Sequence, residues 1–156
     1  MNENKEITVQ YDDKDNFGRL ICIAKKHFDV WSQHNIKPEK VDMKLSFMPV
    51  IFNISPEGNT NSELSKKSLV FKQAMSRTLK ELEEIGMITS KTINNDKRSN
   101  RINLTDDGKE FVTTSNQKLS DLIDNYIDLV GEEKFSITME VLSKMIDYHE
   151  DLNTNQ

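Results

Sequence analysis

Eight side chains in this 156-residue chain carry hydrogen-bond donors at spacings that suit a polyanion. Lys72, Gln73, Ser76, Arg77 and Lys80 recur at the steps of one helical face, and Lys97, Arg98 and Arg101 crowd between two strand-like runs. Ammonium, guanidinium and hydroxyl groups meet phosphates, and arginine and glutamine can also bond base edges through paired donors. Types and spacing together point to double-stranded DNA. Nothing points to a reaction. The chain has no nucleophile–base motif, no glycine-rich phosphate loop and no paired carboxylates outside charge runs that read as solvated faces. No catalytic residue, cofactor or metal is therefore expected.

Two short helices must position the first group. In FKQAMSRTLKELEEIG, the residues Phe71, Ala74, Met75, Leu79, Leu82 and Ile85, with the Thr78 methyl, recur at three- and four-residue steps. That spacing predicts one buried stripe of an amphipathic helix. Gly86 stops it as a C′ glycine. The preceding NSELSKKS is too short to be helical alone and must pack on its neighbour. The pair reads as a helix-turn-helix with its recognition helix at 71–85.

The second group sits on a hairpin. MITSKT and NRINLT alternate in polarity as strands do, and Asn94, Asn95 and Asp96 suit a reversing turn between them. Lys97 and Arg98 then lie at the tip, with Arg101 behind. A basic loop taken alone is an ordinary solvated surface. After a recognition helix and a glycine stop it reads as a wing, whose arginine can enter the minor groove. Asp96 is placed to accept hydrogen bonds from Arg98 or Arg101.

At these residues the chain resembles the MarR family of winged helix-turn-helix transcriptional regulators, without a gap across Thr60–Gly108. The motifs are Glu63-Leu64 before the turn, then Ser76, Arg77, Leu82, Glu83, Glu84 and Gly86, and finally Asp96, Arg98, Leu104, Thr105 and Gly108. Two positions depart from the family pattern. Leu69 stands where the family usually has glycine, and Phe71 where it has a Ser or Thr cap; Ser68 could cap an earlier start instead. The resemblance implies dimerisation through the terminal helices. It also implies a small-molecule effector pocket between dimerisation and DNA-binding parts, for which Phe28, Trp31, Phe47 and Met48 are candidates. Plain core is the other reading of those four.

Composition sets the limits. Hydrophobic content of 35% is low and charged content of 30% is high for a compact monomer. An elongated helical protein that shares its core with a partner fits those values. The net charge of −5 is unevenly spread. Residues 62–110 hold ten Lys/Arg against eight Asp/Glu, whereas residues 111–156 hold three against nine. Positive charge lies where phosphates would be met, and local charge is what displaces counterions. No apolar run approaches the length of a membrane helix, no signal peptide precedes the fold, and the single cysteine allows no internal disulfide. A cytoplasmic location is expected.

The flanking elements follow from periodicity. Residues 1–14 read as frayed. A helix from Asp15 to about Gln33 or His34 places Phe17, Leu20, Ile21, Ala24, Phe28 and Trp31 on one face, and Pro38 ends the segment. The apolar stretch 42–54 predicts a helix capped by Ser46 with Pro49 in its first turn. Thr105, with Asp106 and Asp107, caps a long helix striped by Leu119, Leu122, Ile123, Tyr126, Ile127 and Val130. Gly131 ends it, and a last helix carries Phe135, Met139, Leu142, Met145, Ile146 and His149. These stripes exceed what a winged-helix core can cover, so a two-fold homodimer is expected.

Cys22 lies where organic-hydroperoxide sensors of the family carry their reactive cysteine. Its neighbours Ile21, Ile23 and Ala24 offer a thiolate no support, and residues 40–55 contain no tyrosine to meet it. A packed, inert cysteine is expected. His27 and His34 share a helix face with no further ligand at close spacing, which reads as surface or interface histidine.

The fold expected is thus mainly α with a small β-hairpin wing: a winged helix-turn-helix at about 42–108, flanked by dimerisation helices at about 15–34 and 106–152, all within one domain from 15 to 156. The function expected is sequence-specific DNA binding by a homodimeric regulator, with repression the anticipated sense, on a pseudo-palindromic operator. A winged-helix module for protein contact without DNA affinity, and a redox regulator acting through Cys22, are the alternatives.

Overall fold

The computed structural model describes residues 16–38, 41–68, 70–93 and 96–154. The N-terminal stretch read as frayed, together with Leu69, Asn94 and Asn95, lies outside them. The contacts of the chain divide it into two compact units, one up to Lys109 and one from Glu110 onward.

Helix α1 (Phe17–Asn35) starts where Asn16 caps it, its Oδ1 accepting from the Arg19 amide at 3.0 Å. Most of its apolar side chains are open to solvent in the single chain, Phe17 at 59% and Leu20 at 52%. Cys22 is exposed too, against the expectation of a packed thiol, because α1 is uncovered along most of its length. A 3-10 turn (Leu45–Phe47) runs directly into the short helix α2 (Met48–Ile51), with Pro49 in the first turn, where a missing N–H costs nothing. Ser46, expected as the cap, sits inside the 3-10 turn instead, and Phe47 takes the N-cap position without a side-chain bond.

The helix-turn-helix segment is built on local bonds. Strand β1 (Asn59–Thr60) leads into α3 (Asn61–Lys67) through a capping box: Thr60 Oγ1 accepts from the Glu63 amide at 3.3 Å, and the Glu63 carboxylate accepts from the Thr60 amide at 2.7 Å. That backbone donor is the largest influence holding the Glu63 carboxyl below its ordinary pKa. Ser68 closes α3 as its C-cap and so does not cap the next helix.

Helix α4 (Lys72–Glu84) begins with Phe71 as N-cap. Its buried stripe is narrower than the periodicity suggested. Met75, Leu79 and Leu82 are buried, and Thr78 and Ile85 are half-buried. Phe71 is 88% exposed, because the chain is still extended there and its side chain does not join the helical face. Ala74 is exposed as well, lying about 100° round the helix from Met75. Val50, Ile51, Leu64, Met75, Leu82 and Ile88 form the fully buried centre of the core. Each such side chain contributes roughly 1.5–3 kcal/mol by leaving water.

Strands β2 (Ile88–Ile93) and β3 (Asp96–Leu104) make the hairpin, and β1 adds antiparallel to β3 to give the order β1-β3-β2. Two residues are too few to show a period, so β1 has no signature in the sequence. The hairpin is also longer than expected: Asp96, Lys97 and Arg98 belong to β3 rather than to a loop. The register steps from Thr92↔Asn100 to Ile93↔Asp96, which leaves Lys97, Arg98 and Ser99 as the excess residues of an irregularity.

Thr105 ties the end of the wing to both of its neighbours. Its hydroxyl donates to the Gly86 carbonyl at 2.6 Å and accepts from the Gly108 amide at 3.0 Å, capping α5 (Asp106–Val130) as expected. Gly131, at φ 88°, breaks the chain between α5 and α6 (Glu132–Thr154). Both helices leave large apolar side chains exposed, among them Ile123, Leu129, Met139 and Ile146. Among the described residues no helix is long and apolar enough to cross a membrane.

Candidate nucleic-acid interface

Helix α4 turns Met75, Leu79 and Leu82 inward, and so must turn Gln73, Ser76, Arg77 and Lys80 outward; all four are exposed. Lys72 is the first residue of the helix. Lys97 and Arg98 stand in the irregular part of β3, so the hairpin brings the second basic group onto the same compact unit.

Ion pairs order this face. Arg77 Nε donates to Glu81 Oε1 at 2.8 Å, one turn on, while the Arg77 side chain stays 82% exposed. The other oxygen of Glu81 accepts from Lys44 Nζ, which comes from the loop before the 3-10 turn and also lies 5.3 Å over the Phe47 ring. Lys44 first, and Arg77 second, hold the Glu81 carboxyl below the usual carboxylate range. Glu81 therefore loses its charge, and with it the hold on Arg77, at a lower pH than an unpaired glutamate would. With Nε engaged, the two Nη groups of Arg77 are left for a base edge or a phosphate. Lys80 Nζ lies 3.7 Å from Glu84.

Other bonds fix the helix to what surrounds it. Asn61 Nδ2 donates to Ser76 Oγ at 3.4 Å, and Glu83 Oε1 accepts from the Ser90 amide at 2.9 Å, joining α4 to α3 and to β2. A cleft of about 480 Å³ opens between these elements, lined by Asn61, Ser62, Ser76, Lys80, Ser90 and Asn100 among others. Leu79, Ile88, Ile102 and Glu83 also line it, so the cleft mixes apolar, acidic and hydrogen-bonding groups and selects no one class of ligand.

Arg101 is placed differently from the other basic candidates. Its Nη1 donates to the carbonyls of Glu57 at 2.9 Å and Gly58 at 3.4 Å, fastening β3 to the turn before β1. The Asp96 side chain, expected to accept from Arg98 or Arg101, lies outside the described side chains.

Of the four effector-pocket candidates, Phe28 and Trp31 lie on α1, Phe47 closes the 3-10 turn and Met48 opens α2. Phe28 and Trp31 stack on α1 with centroids 6.0 Å apart and planes at 26°. Phe47 is 3% exposed and belongs to the core, and Met48 is half-buried. A second cleft, of about 290 Å³, is lined by His34, Lys37, Asp42 and Lys44 among others; none of the four aromatic or Met candidates lines either cleft. Sequence reasoning missed Lys44 and Glu81, which are 37 residues apart and carry no shared motif.

The MarR family model matches residues 54–99. An uncharacterized HTH-type transcriptional regulator of Bacillus subtilis strain 168, YdgJ, is 29% identical over 86 residues, which cover 55% of this chain and 52% of that protein. The chain thus spans about half the length of that curated relative. Among solved structures, the transcriptional regulator SlyA superposes with a TM-score of 0.75 at 19% identity, over 90% of this chain and 99% of the other. FabT of Streptococcus pneumoniae, solved in complex with DNA, gives a TM-score of 0.72 at 19% identity, over 86% and 95%. At such identities the superpositions establish a shared fold, a helical winged helix-turn-helix with a small antiparallel sheet.

Proposed function

We propose that this chain, a member of the MarR family through residues 54–99, is a transcriptional regulator that binds a pseudo-palindromic operator as a homodimer. The observation that supports it most is the division of α4. One side of the helix is the centre of the core, and the other presents Gln73, Ser76, Arg77 and Lys80 beside a hairpin that carries Lys97 and Arg98. Such an element fits the major groove, with the hairpin at the flanking backbone or minor groove. The acidic balance of the whole chain does not oppose this, since the excess of basic residues lies within 62–110.

Dimerisation is the use we assign to the exposed apolar side chains of α1, α5 and α6. A two-fold partner would remove them from water and set two copies of α4 on successive half-sites. Repression is the sense we assign, because a bound dimer occupies DNA that a polymerase must reach. A small-molecule effector would find the half-open Phe28–Trp31 stack rather than Phe47, which the core already holds.

Two measurements test the reading. In sedimentation at micromolar concentration the protein should run at about twice its 18.1 kDa chain mass. A single species at the mass of one chain removes the basis for palindromic recognition. Binding to duplex DNA selected from a random pool should weaken steeply with salt, with log K linear in log salt concentration. Absence of any salt-dependent duplex binding would hand the fold over to protein–protein contact instead.

A further inference from the structure

Phe71 is the most exposed large apolar side chain among the described residues, at 88%. It occupies the N-cap of α4 with φ −59° and ψ 142°, and its carbonyl accepts the first intrahelical bond, from the Met75 amide at 2.8 Å. The side chain makes no capping hydrogen bond. Serine, threonine, aspartate or asparagine there would satisfy one of the free amides of the first turn, which phenylalanine cannot do. The residue is thus unfavourable twice over, as an apolar ring in water and as a poor cap. Local rules are broken in this way mostly where a surface does something.

The position says what the ring would meet. Gln73, Ser76 and Arg77 follow on the exposed side of the same helix, and the N-terminal residues of a recognition helix are those that reach base edges. Among the groups that base pairs display in the major groove, the thymine C5-methyl is the apolar one, and phenylalanine is among the side chains that pack on it. An exposed ring at the leading end of α4 has no better-matched neighbour in a duplex.

We propose that Phe71 is a specificity residue that reads thymine through its methyl group. The inference rests on the operator reading above and adds to it an apolar contact that the hydrogen-bonding face of α4 cannot supply. Docking the helix would remove the ring and the methyl from water together, so the contact favours operators with thymine at one position in each half-site. A second copy of the chain in a two-fold complex would place the same contact at the symmetry-related thymine.

The test replaces operator thymines one at a time by deoxyuridine, which removes the methyl and leaves the hydrogen-bonding pattern intact. The operator is the one the wild-type protein selects from a random pool. Wild type should lose about fourfold in affinity per methyl at one symmetry-related pair of positions. Phe71→Ala should bind the thymine operator more weakly by at least that factor and be indifferent to uridine at that pair. Phe71→Ser should behave like alanine on DNA while raising the thermal midpoint by about 3 °C, since serine supplies the missing cap. The inference is overturned if wild type is insensitive to every methyl, or if Phe71→Ala keeps the full sensitivity. In either of those cases salt-dependent operator binding would still stand. Failure of wild type to select any duplex would bring down the operator reading and this inference together.

Discussion

Replacing Arg77 by alanine should lower the ratio of operator to random-DNA affinity by about tenfold or more. A bidentate contact to a base edge discriminates by about 1–3 kcal/mol, and a two-fold complex would contain two such contacts. The structure supplies a reason for the expected size. Glu81, itself held by Lys44, takes the Nε of Arg77 and so restricts the guanidinium before DNA arrives. An ordered donor loses less freedom on binding than a free one. Arg98, on the hairpin, should behave differently. Arg98→Ala should weaken operator and random duplexes to similar extents and reduce the slope of log K against log salt by about one unit per protomer. Titrating both variants with salt on both duplexes separates the two roles. Unchanged binding of both variants to both duplexes would show that neither the helix nor the hairpin reads DNA.

Gly108→Ala should destabilise the fold by about 2–4 kcal/mol, the second large effect. A methyl group at this position would lie 2.1 Å from the Met87 carbonyl oxygen and 3.3 Å from Leu104 Cδ2. The oxygen is backbone and cannot swing away, and the same Met87 carbonyl accepts from the Thr105 amide at 3.1 Å. Relief would require the start of α5 to move off the end of the wing. Gly86→Ala makes the comparison, because φ is 77° there but nothing lies within 4 Å of the added carbon. It should cost only the left-handed backbone penalty, about 1–2 kcal/mol. Urea midpoints of the two variants, with an unchanged dependence on denaturant, would report the difference. Equal midpoints for wild type and Gly108→Ala would mean that this contact does not hold the wing in place.

Much of the winged helix could be read in advance because its decisive interactions are local. The capping box joins Thr60 to Glu63, three residues on, and Thr105 caps Gly108 across the same interval. Gly86 and Gly131 stop helices through their own backbone freedom, with φ of 77° and 88°. The spacing of Met75, Leu79 and Leu82 names a buried face without any knowledge of what buries it. Where the reading went astray, the deciding partner was distant or the boundary was off by a residue or two. Ser46 failed as a cap because a 3-10 turn came first, and Phe71 left the stripe because α4 starts one residue later.

The sequence by itself determined the order of the main helices and of the hairpin, the inward face of α4, and hence which side chains of that helix point outward. Periodicity, caps and glycine stops act within a turn or two of chain, and nothing further is needed to see them. Tertiary structure alone decided what those outward side chains can do. It brought Lys44 onto Glu81 across 37 residues and so ordered Arg77. It spent Arg101 on the carbonyls of Glu57 and Gly58, more than 40 residues away, and added β1 to the edge of the hairpin. It also buried Phe47 while leaving Phe71 in water, though both are phenylalanines in apolar stretches. The physical reason is common to all of these. A side chain's surroundings are set by segments remote in sequence, whose meeting depends on closing long loops and leaves no local periodic trace.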